Sequence, residues 1–231
     1  MSTAVMGLAE RTATVQRQVA EAAAASGRDP NSITIITVCK TAPREAVDAA
    51  IALGLRHFAE NRVQDALRKF EVPLAPGCDL HLIGHLQTNK ARPAVGLFDV
   101  IETVDRPSLI AALEKEAARI EKRLPVLVQV NVAGEAQKAG CAPDEAHSLL
   151  AALTASPWLQ PQGFMTMAPL VSDPEEVRPV FRGLRELRDR LQEQFADVPL
   201  PVLSMGMSND YPVAIAEGAT LVRIGRAIFG S

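Results

Sequence analysis

The feature that most restricts the fold of this chain is a repeated alternation of short apolar, often β-branched runs with longer segments of helical periodicity. Residues 33–38 (ITIITV) are the first such run, and Thr41 and Pro43 then open an Ala-rich stretch that closes at Gly54. Residues 57–60, 79–84, 100–104, 125–132, 162–167, 202–207 and 221–224 read as further strands. Helical segments fall between them at 62–70, 89–96 and 143–155, with another ending near Gly218. Pro107 opens one more, in which Leu109, Leu113, Ala117 and Ile120 recur at three or four. Asp173-Pro174-Glu175-Glu176 offers an N-cap, a first-turn proline and a capping-box glutamate. Behind it runs the stripe Val177, Val180, Phe181, Leu184, Leu187, Leu191 and Phe195. A leading helix is expected over about 2–26.

Strict βα alternation implies a parallel sheet. Eight such units in roughly 200 residues predict an α/β fold closed into a (β/α)8 TIM barrel, as one domain over residues 1–231. The competing architecture is an open doubly wound sheet. It loses support because no G-x-G-x-x-G follows the first strand.

Composition narrows the function classes. An apolar share of 48% and a charged share of 22% are those of a globular chain rather than a disordered one. Lys and Arg number 24 against 27 Asp and Glu, a net charge of −3, and no basic tract stands out. Seven Phe, one Trp and one Tyr give no stacking platform, so no nucleic-acid partner is expected. No apolar run nears the ~20 residues of a membrane span, and Glu10, Arg11, Arg17 and Glu21 interrupt any N-terminal leader. Cys39, Cys78 and Cys141 are dispersed and odd in number, which argues against a disulfide framework and for the cytoplasm. His81 and His85 sit four apart in a strand, about 13 Å, so they cannot share one ion and no zinc site is expected. The pattern leaves no surplus apolar face, and a monomer is expected.

In such a barrel, chemistry gathers where strands end and βα loops begin. Lys40 follows an unbroken apolar run. A dry wall at the barrel mouth would disfavour its ammonium and suit an imine-forming amine, although a strand-end lysine can equally snorkel to water. Ser204-x-Gly206-x-Ser208-Asn209-Asp210 runs into a helix whose first amides would suit a phosphate. Gly225 lets a second stretch of backbone approach the same anion, unless both glycines merely serve tight turns. Arg223 shares a strand face with Gly225, where it can meet a ring nitrogen or join an ion pair at the barrel end. A lysine opposite a phosphate cradle leaves two chemistries open: a Schiff-base aldolase on sugar phosphates, or a pyridoxal 5′-phosphate site.

Six ordered segments carry a resemblance. They are Val38-Cys39-Lys40-Thr41, Glu60-Asn61-Arg62-Val63-Gln64, residues 81–90 (HLIGHLQTNK), residues 163–169 (GFMTMAP), residues 203–210 (LSMGMSND) and Val222-Arg223-Ile224-Gly225. From about residue 33 onward the chain resembles the pyridoxal phosphate homeostasis proteins, single-domain relatives of the barrel domain of bacterial alanine racemase. The resemblance implies a fold-type III barrel with pyridoxal 5′-phosphate bound covalently as an imine on Lys40. It implies phosphate contacts from Ser208 and from the Gly225–Arg226 backbone, and Arg223 near the pyridine nitrogen. Asn61 and Met165 would lie beside the cofactor, His85 at the mouth, and Ser204 and Met207 in the same site. Two positions depart from the family pattern. Arg226 stands where a small hydroxyl residue, commonly Thr, is usual, so backbone contact remains and the guanidinium adds a charged partner. Cys39 stands where Ser is commoner and is expected to pack beside the strand without a reactive role.

The family implies binding more than turnover. Its members hold the cofactor, buffer it or deliver it, with PLP-dependent apo-enzymes as the recipients, and keep vitamin B6 and amino-acid pools in balance. Two readings of the residues agree. An arginine keeps its proton and leaves the pyridine nitrogen unprotonated, which weakens the ring as an electron sink. Racemisation needs an acid or base on each face of the α-carbon, and Tyr211, the only tyrosine, starts the phosphate-side helix. The chain also ends soon after the eighth strand, without the extra β-domain that completes a racemase site. A cofactor carrier is therefore expected, with a low-activity amino-acid racemase as the alternative.

Overall fold

The apolar runs become eight parallel strands: β1 (Thr34–Val38), β2 (His57–Glu60), β3 (Asp79–Leu82), β4 (Val100–Val104), β5 (Leu124–Gln129), β6 (Leu159–Met165), β7 (Val202–Met207) and β8 (Leu221–Ile224). The computed structural model describes residues 3–135 and 137–230, and the expected start of the leading helix at residue 2 lies outside them. Each strand pairs with the next, and β8 pairs back to β1 through Thr34↔Leu221 and Ile36↔Arg223, closing the barrel. Both the barrel and its βα order match the expectation, and the open sheet is ruled out.

The first eight helices sit close to where the periodicity placed them, and a short ninth, which the sequence did not predict, follows β8. They are α1 (Thr3–Ala25), α2 (Arg44–Ala52), α3 (Val63–Lys69), α4 (Ala91–Leu97), α5 (Pro107–Arg119), α6 (Ala146–Thr154), α7 (Arg178–Gln194), α8 (Tyr211–Ala216) and α9 (Arg226–Phe229). Pro107 occupies the first turn of α5, where a missing N–H is harmless. The Asp173 carboxylate accepts from Glu175 N at 3.0 Å, but the turn it caps is a 3-10 segment, Pro174–Val177, ahead of α7. On α7, Phe181, Leu184, Leu187 and Leu191 are buried against the barrel, and each such side chain contributes roughly 1.5–3 kcal/mol on leaving water.

Side chains alternate across each strand, so one set faces the helices and the other fills the barrel. The helix-facing set builds the large core, with Phe58, Leu82, Ile101, Val128, Phe164 and Ile224 fully buried. Inside the barrel the apolar cluster is small: Ile36, Ala59 and Ile83, with Val38 and Leu221 against it. Leu127 and Met165 are buried on the same inward parity, and beside them the interior carries polar and charged groups: His81, Glu102, Gln129, Ser204 and Arg223 are all buried.

α1 packs on α8 and α9 and fixes the end of the chain that follows β8. Arg11 Nε donates to Ile228 O at 2.8 Å, and Arg28 Nη1 donates to Ile215 O and Ala219 O at 2.8 and 2.7 Å. Both guanidiniums satisfy carbonyls at helix C-termini, where cations are favoured. All three cysteines are free. Among the described residues, no helix is long and apolar enough to cross a membrane.

Candidate functional site

At the C-terminal end of the barrel the βα loops enclose a cavity of about 460 Å³, within the range of small-molecule sites. From β1 and its loop come Val38, Lys40 and Thr41, from the end of β2 Asn61, and after β3 Ile83. Met167 and Leu170 follow β6, Met207, Ser208, Asn209 and Asp210 follow β7, and Arg223, Gly225 and Arg226 come from β8 and its turn.

Seven residues named from the sequence therefore line one cavity: Lys40, Asn61, Met207, Ser208, Arg223, Gly225 and Arg226. The other three are not among the residues that line it. Met165 closes β6 and is fully buried, as is Ser204. His85 is exposed, with Nδ1 3.7 Å from Asp105 Oδ2. Lys40 itself is exposed, so the dry wall read from the preceding apolar run is not what marks it. That run packs Cys39 inward and turns Lys40 out over the cavity.

The strand-one end is held by Lys69, which sequence reasoning passed over. Lys69, on α3, donates to Cys39 O and pairs with the Glu60 carboxylate at the end of β2. Cys39 Sγ lies 3.3 Å from Ala59 O and 3.7 Å from Glu60 Oε1. Burial, reinforced by Glu60, pushes the Cys39 thiol up to about 12, which leaves it a packing residue as expected.

Arg223 is the buried cation of the site. Its Nη1 donates to Ser204 Oγ at 2.6 Å and its Nη2 to Thr166 O at 2.6 Å. Ser204 Oγ donates in turn to Glu102 Oε2 at 2.5 Å, and Glu102 Oε1 meets His81 Nδ1 at 2.7 Å. Burial pushes the Arg223 guanidinium down from its ordinary value, and Glu102 and Asp210 act against that. Burial would push Glu102 up, but His81, Arg223 and Ser204 together hold it below the usual carboxylate range. Glu102 is thus the counter-charge that lets an arginine sit inside the barrel.

Two glycines shape the phosphate-side wall. Gly206 has φ +92°, and a Cβ there would lie 2.6 Å from Ala214 Cβ and 2.9 Å from Tyr211 Cα, so only glycine lets β7 turn this closely into α8. A Cβ on Gly225 would lie 2.9 Å from Val38 O, so glycine brings the β8 turn against β1. Asp210, buried at the end of this loop, accepts from Met207 N at 2.6 Å. Burial raises its carboxyl above the ordinary value, against Met207 N–H and Arg223.

These groups fit pyridoxal 5′-phosphate. The cavity offers a primary amine for its aldehyde, a guanidinium for its ring nitrogen, and apolar walls (Val38, Ile83, Met167, Leu170) for the ring. Ser208 and the start of α9 at Gly225–Arg226 provide hydroxyl and amide donors for a phosphate. Asn61 Oδ1 is buried at the cavity without a hydrogen-bond partner, as an atom awaiting a ligand would be.

Comparison with known proteins points the same way. The family model for the alanine racemase N-terminal domain matches residues 12–231. A pyridoxal phosphate homeostasis protein of Aquifex aeolicus is 40% identical over 225 residues, 97% of this chain and 98% of that one. One of Pseudomonas aeruginosa is 40% identical over 228 residues, 97% and 95% of the two chains. PipY of Synechococcus elongatus, solved with PLP bound, superposes with a TM-score of 0.85 at 37% identity, covering 96% of this chain and all of PipY. Alanine racemase of Corynebacterium glutamicum shares the fold at 14% identity and a TM-score of 0.73, and this chain spans 60% of it. The chain belongs to the alanine racemase N-terminal domain family and, within it, to the pyridoxal phosphate homeostasis proteins.

Proposed function

We propose that this barrel binds pyridoxal 5′-phosphate covalently on Lys40, and buffers it or delivers it to PLP-dependent apo-enzymes, with little or no turnover of its own. The observation that carries the reading is the convergence of Lys40, Arg223, Asn61 with its unpartnered Oδ1, and the Ser208 and Gly225–Arg226 walls on one cavity. PipY, solved with PLP bound, and relatives named for pyridoxal phosphate homeostasis support it. When bound, such a cofactor supplies an aldehyde for amine capture and an electron-withdrawing ring. Ser208, the amides at the start of α9 and the Arg226 guanidinium hold the phosphate, and Met207 and Ile83 help to shape the walls.

The chain's own groups favour holding over catalysis. Arg223 is locked by Ser204 and Thr166 and offers a hydrogen bond without giving up a proton. A racemase needs a second acid or base opposite Lys40. Tyr211 is buried and its hydroxyl donates to Gln18 Oε1 on α1 at 2.9 Å, which commits it away from that role. Lys40 is exposed, so an incoming amine can displace it, and that suits delivery. We place the protein in the cytoplasm as a single-domain monomer. Among the described residues, the exposed large apolar side chains, Leu67, Val72, Ile120, Met167 and Leu170, come from separate parts of the chain, and of these Met167 and Leu170 share the cavity rim. The test is α-proton exchange on amino acids in deuterium oxide, measured for the loaded protein and for Lys40→Ala. Exchange no faster than free cofactor supports a carrier, whereas enzyme-like exchange that vanishes in Lys40→Ala would replace the carrier with a racemase.

A further inference from the structure

The lower end of the barrel, away from the cavity, carries a second cluster of chemistry-bearing side chains. His57 opens β2 and Asp79 opens β3, and the two are register partners. His57 Nδ1 lies 3.1 Å from Asp79 Oδ2. His81 follows Asp79 by two residues and so shares its face of β3. Its ring stands edge-on to that of His57, with centroids 6.1 Å apart and planes at 82°. One ligand atom from each of His57, Asp79 and His81 lies within 4.8 Å of the other two.

We infer that His57, Asp79 and His81 form a divalent-metal site at the N-terminal end of the barrel, with zinc as the best-suited ion. Two imidazoles and one carboxylate are a borderline-soft donor set of the kind zinc takes with a water in its fourth position. Bonds of 2.0–2.2 Å place tetrahedral ligands about 3.3 Å apart, so small side-chain rotations close the cluster onto an ion. An independent observation points to a metal ligand in His81. Its Nδ1 is taken by the buried Glu102 carboxylate at 2.7 Å, which leaves Nε2 for an ion. A carboxylate behind a histidine fixes the ring and raises the basicity of its other nitrogen, as in carboxylate–histidine–zinc arrangements. The side chains of His57 and Asp79 are 36% and 48% exposed, so an ion can enter, while His81 anchors it from within. The sequence hides this cluster because its ligands come from two strands brought into register, whereas His81 and His85 are separated along one chain segment. The site stands independently of the cofactor reading, although Glu102 joins it through Ser204 to Arg223 at the cavity.

The test is calorimetric titration of the chelator-treated full chain with zinc chloride, repeated with cobalt(II) and followed by its visible d–d spectrum. One zinc per chain is expected, with cobalt bands of four-coordinate geometry. His57→Gln and Asp79→Asn change part-exposed side chains and preserve the fold, and each should weaken binding at least tenfold, by loss of a direct ligand. Glu102→Gln should weaken it about 10–100-fold. Cys78→Ser, next to Asp79, should change nothing, which separates the site from thiolate binding. No saturable zinc, affinity untouched by His57→Gln and Asp79→Asn, or binding abolished by Cys78→Ser would each overturn the assignment.

Discussion

Ser204→Ala is the perturbation that bears most directly on how the barrel tolerates charge. The Ser204 hydroxyl is fully buried and bridges two ionised groups, accepting from Arg223 Nη1 at 2.6 Å and donating to Glu102 Oε2 at 2.5 Å. Alanine removes one oxygen and almost no volume, so the cavity contribution is minor and the loss is one of hydrogen bonding. Leaving a buried polar group unsatisfied costs about 1–3 kcal/mol. Two groups are affected, but each keeps a partner, Thr166 O for Arg223 and His81 for Glu102. A loss of about 2–4 kcal/mol is expected. Urea unfolding checks it as a shift in midpoint at constant slope. In Glu102→Gln, where the anion is already gone, the same substitution should cost less, so the double-mutant loss falls short of the sum of the two single losses. A loss below about 0.5 kcal/mol, the level of a neutral surface change, or strict additivity with Glu102→Gln would refute the idea that Ser204 joins the two charges.

Three further outcomes are expected. Gly225→Ala places a Cβ 2.9 Å from Val38 O and must push the β8 turn away from β1. Equilibrium dialysis should show weaker pyridoxal phosphate retention, with a stability loss of about 1–3 kcal/mol from overpacking. Arg226→Ala should weaken retention at low salt, and the difference should fade near 1 M salt, where the screening length is about 3 Å; unchanged affinity would mean that backbone amides suffice. Glu217 is buried and bonded to Arg178, Arg182 and Arg185, and although burial pushes its carboxyl up, the arginines hold it below the ordinary value. A folded value below the unfolded one stabilises above the unfolded value and is lost as pH falls through the folded one. Glu217→Gln should therefore cost about 1–3 kcal/mol near neutrality, and less as acid denaturation proceeds, readable from urea midpoints across pH.

The strands were legible because β-branched runs recur between helical segments, but their ends were not. Residues 162–167 read as the sixth strand, yet β6 begins at Leu159. Pro161 hides the extension, since proline lacks a ladder donor. The register shifts there, from Val126↔Pro161 to Leu127↔Gly163, and that irregularity accommodates it. Residues 125–132 read as one strand, but β5 stops at Gln129, and Val130 forms only an isolated bridge to Cys141. The sixth helix starts at Ala146, not at 143, because the Glu145 carboxylate accepts from Ala142 N and holds a turn ahead of it. The third strand ends at Leu82, two residues early, and α9 after Gly225 carried too few residues for any periodicity to register.

The cavity's loop residues were visible because glycine, serine and lysine cluster at strand ends. The network beneath was not. Glu102 lies within the apolar run VIETV, and its partners His81, Ser204 and Arg223 sit on three other strands. Only closure of the barrel brings these four strands' inner faces together. A charged residue on the inward face of a buried strand was the one available signal, since such a charge demands a partner.

Absorption spectroscopy of the purified protein with borohydride reduction and peptide mass mapping tests the central claim. A visible imine band that reduction converts into a pyridoxyl adduct on the Lys40 peptide is the predicted result. A protein that stays colourless with added pyridoxal phosphate, or an adduct on Lys69 or Lys90 in place of Lys40, would contradict it.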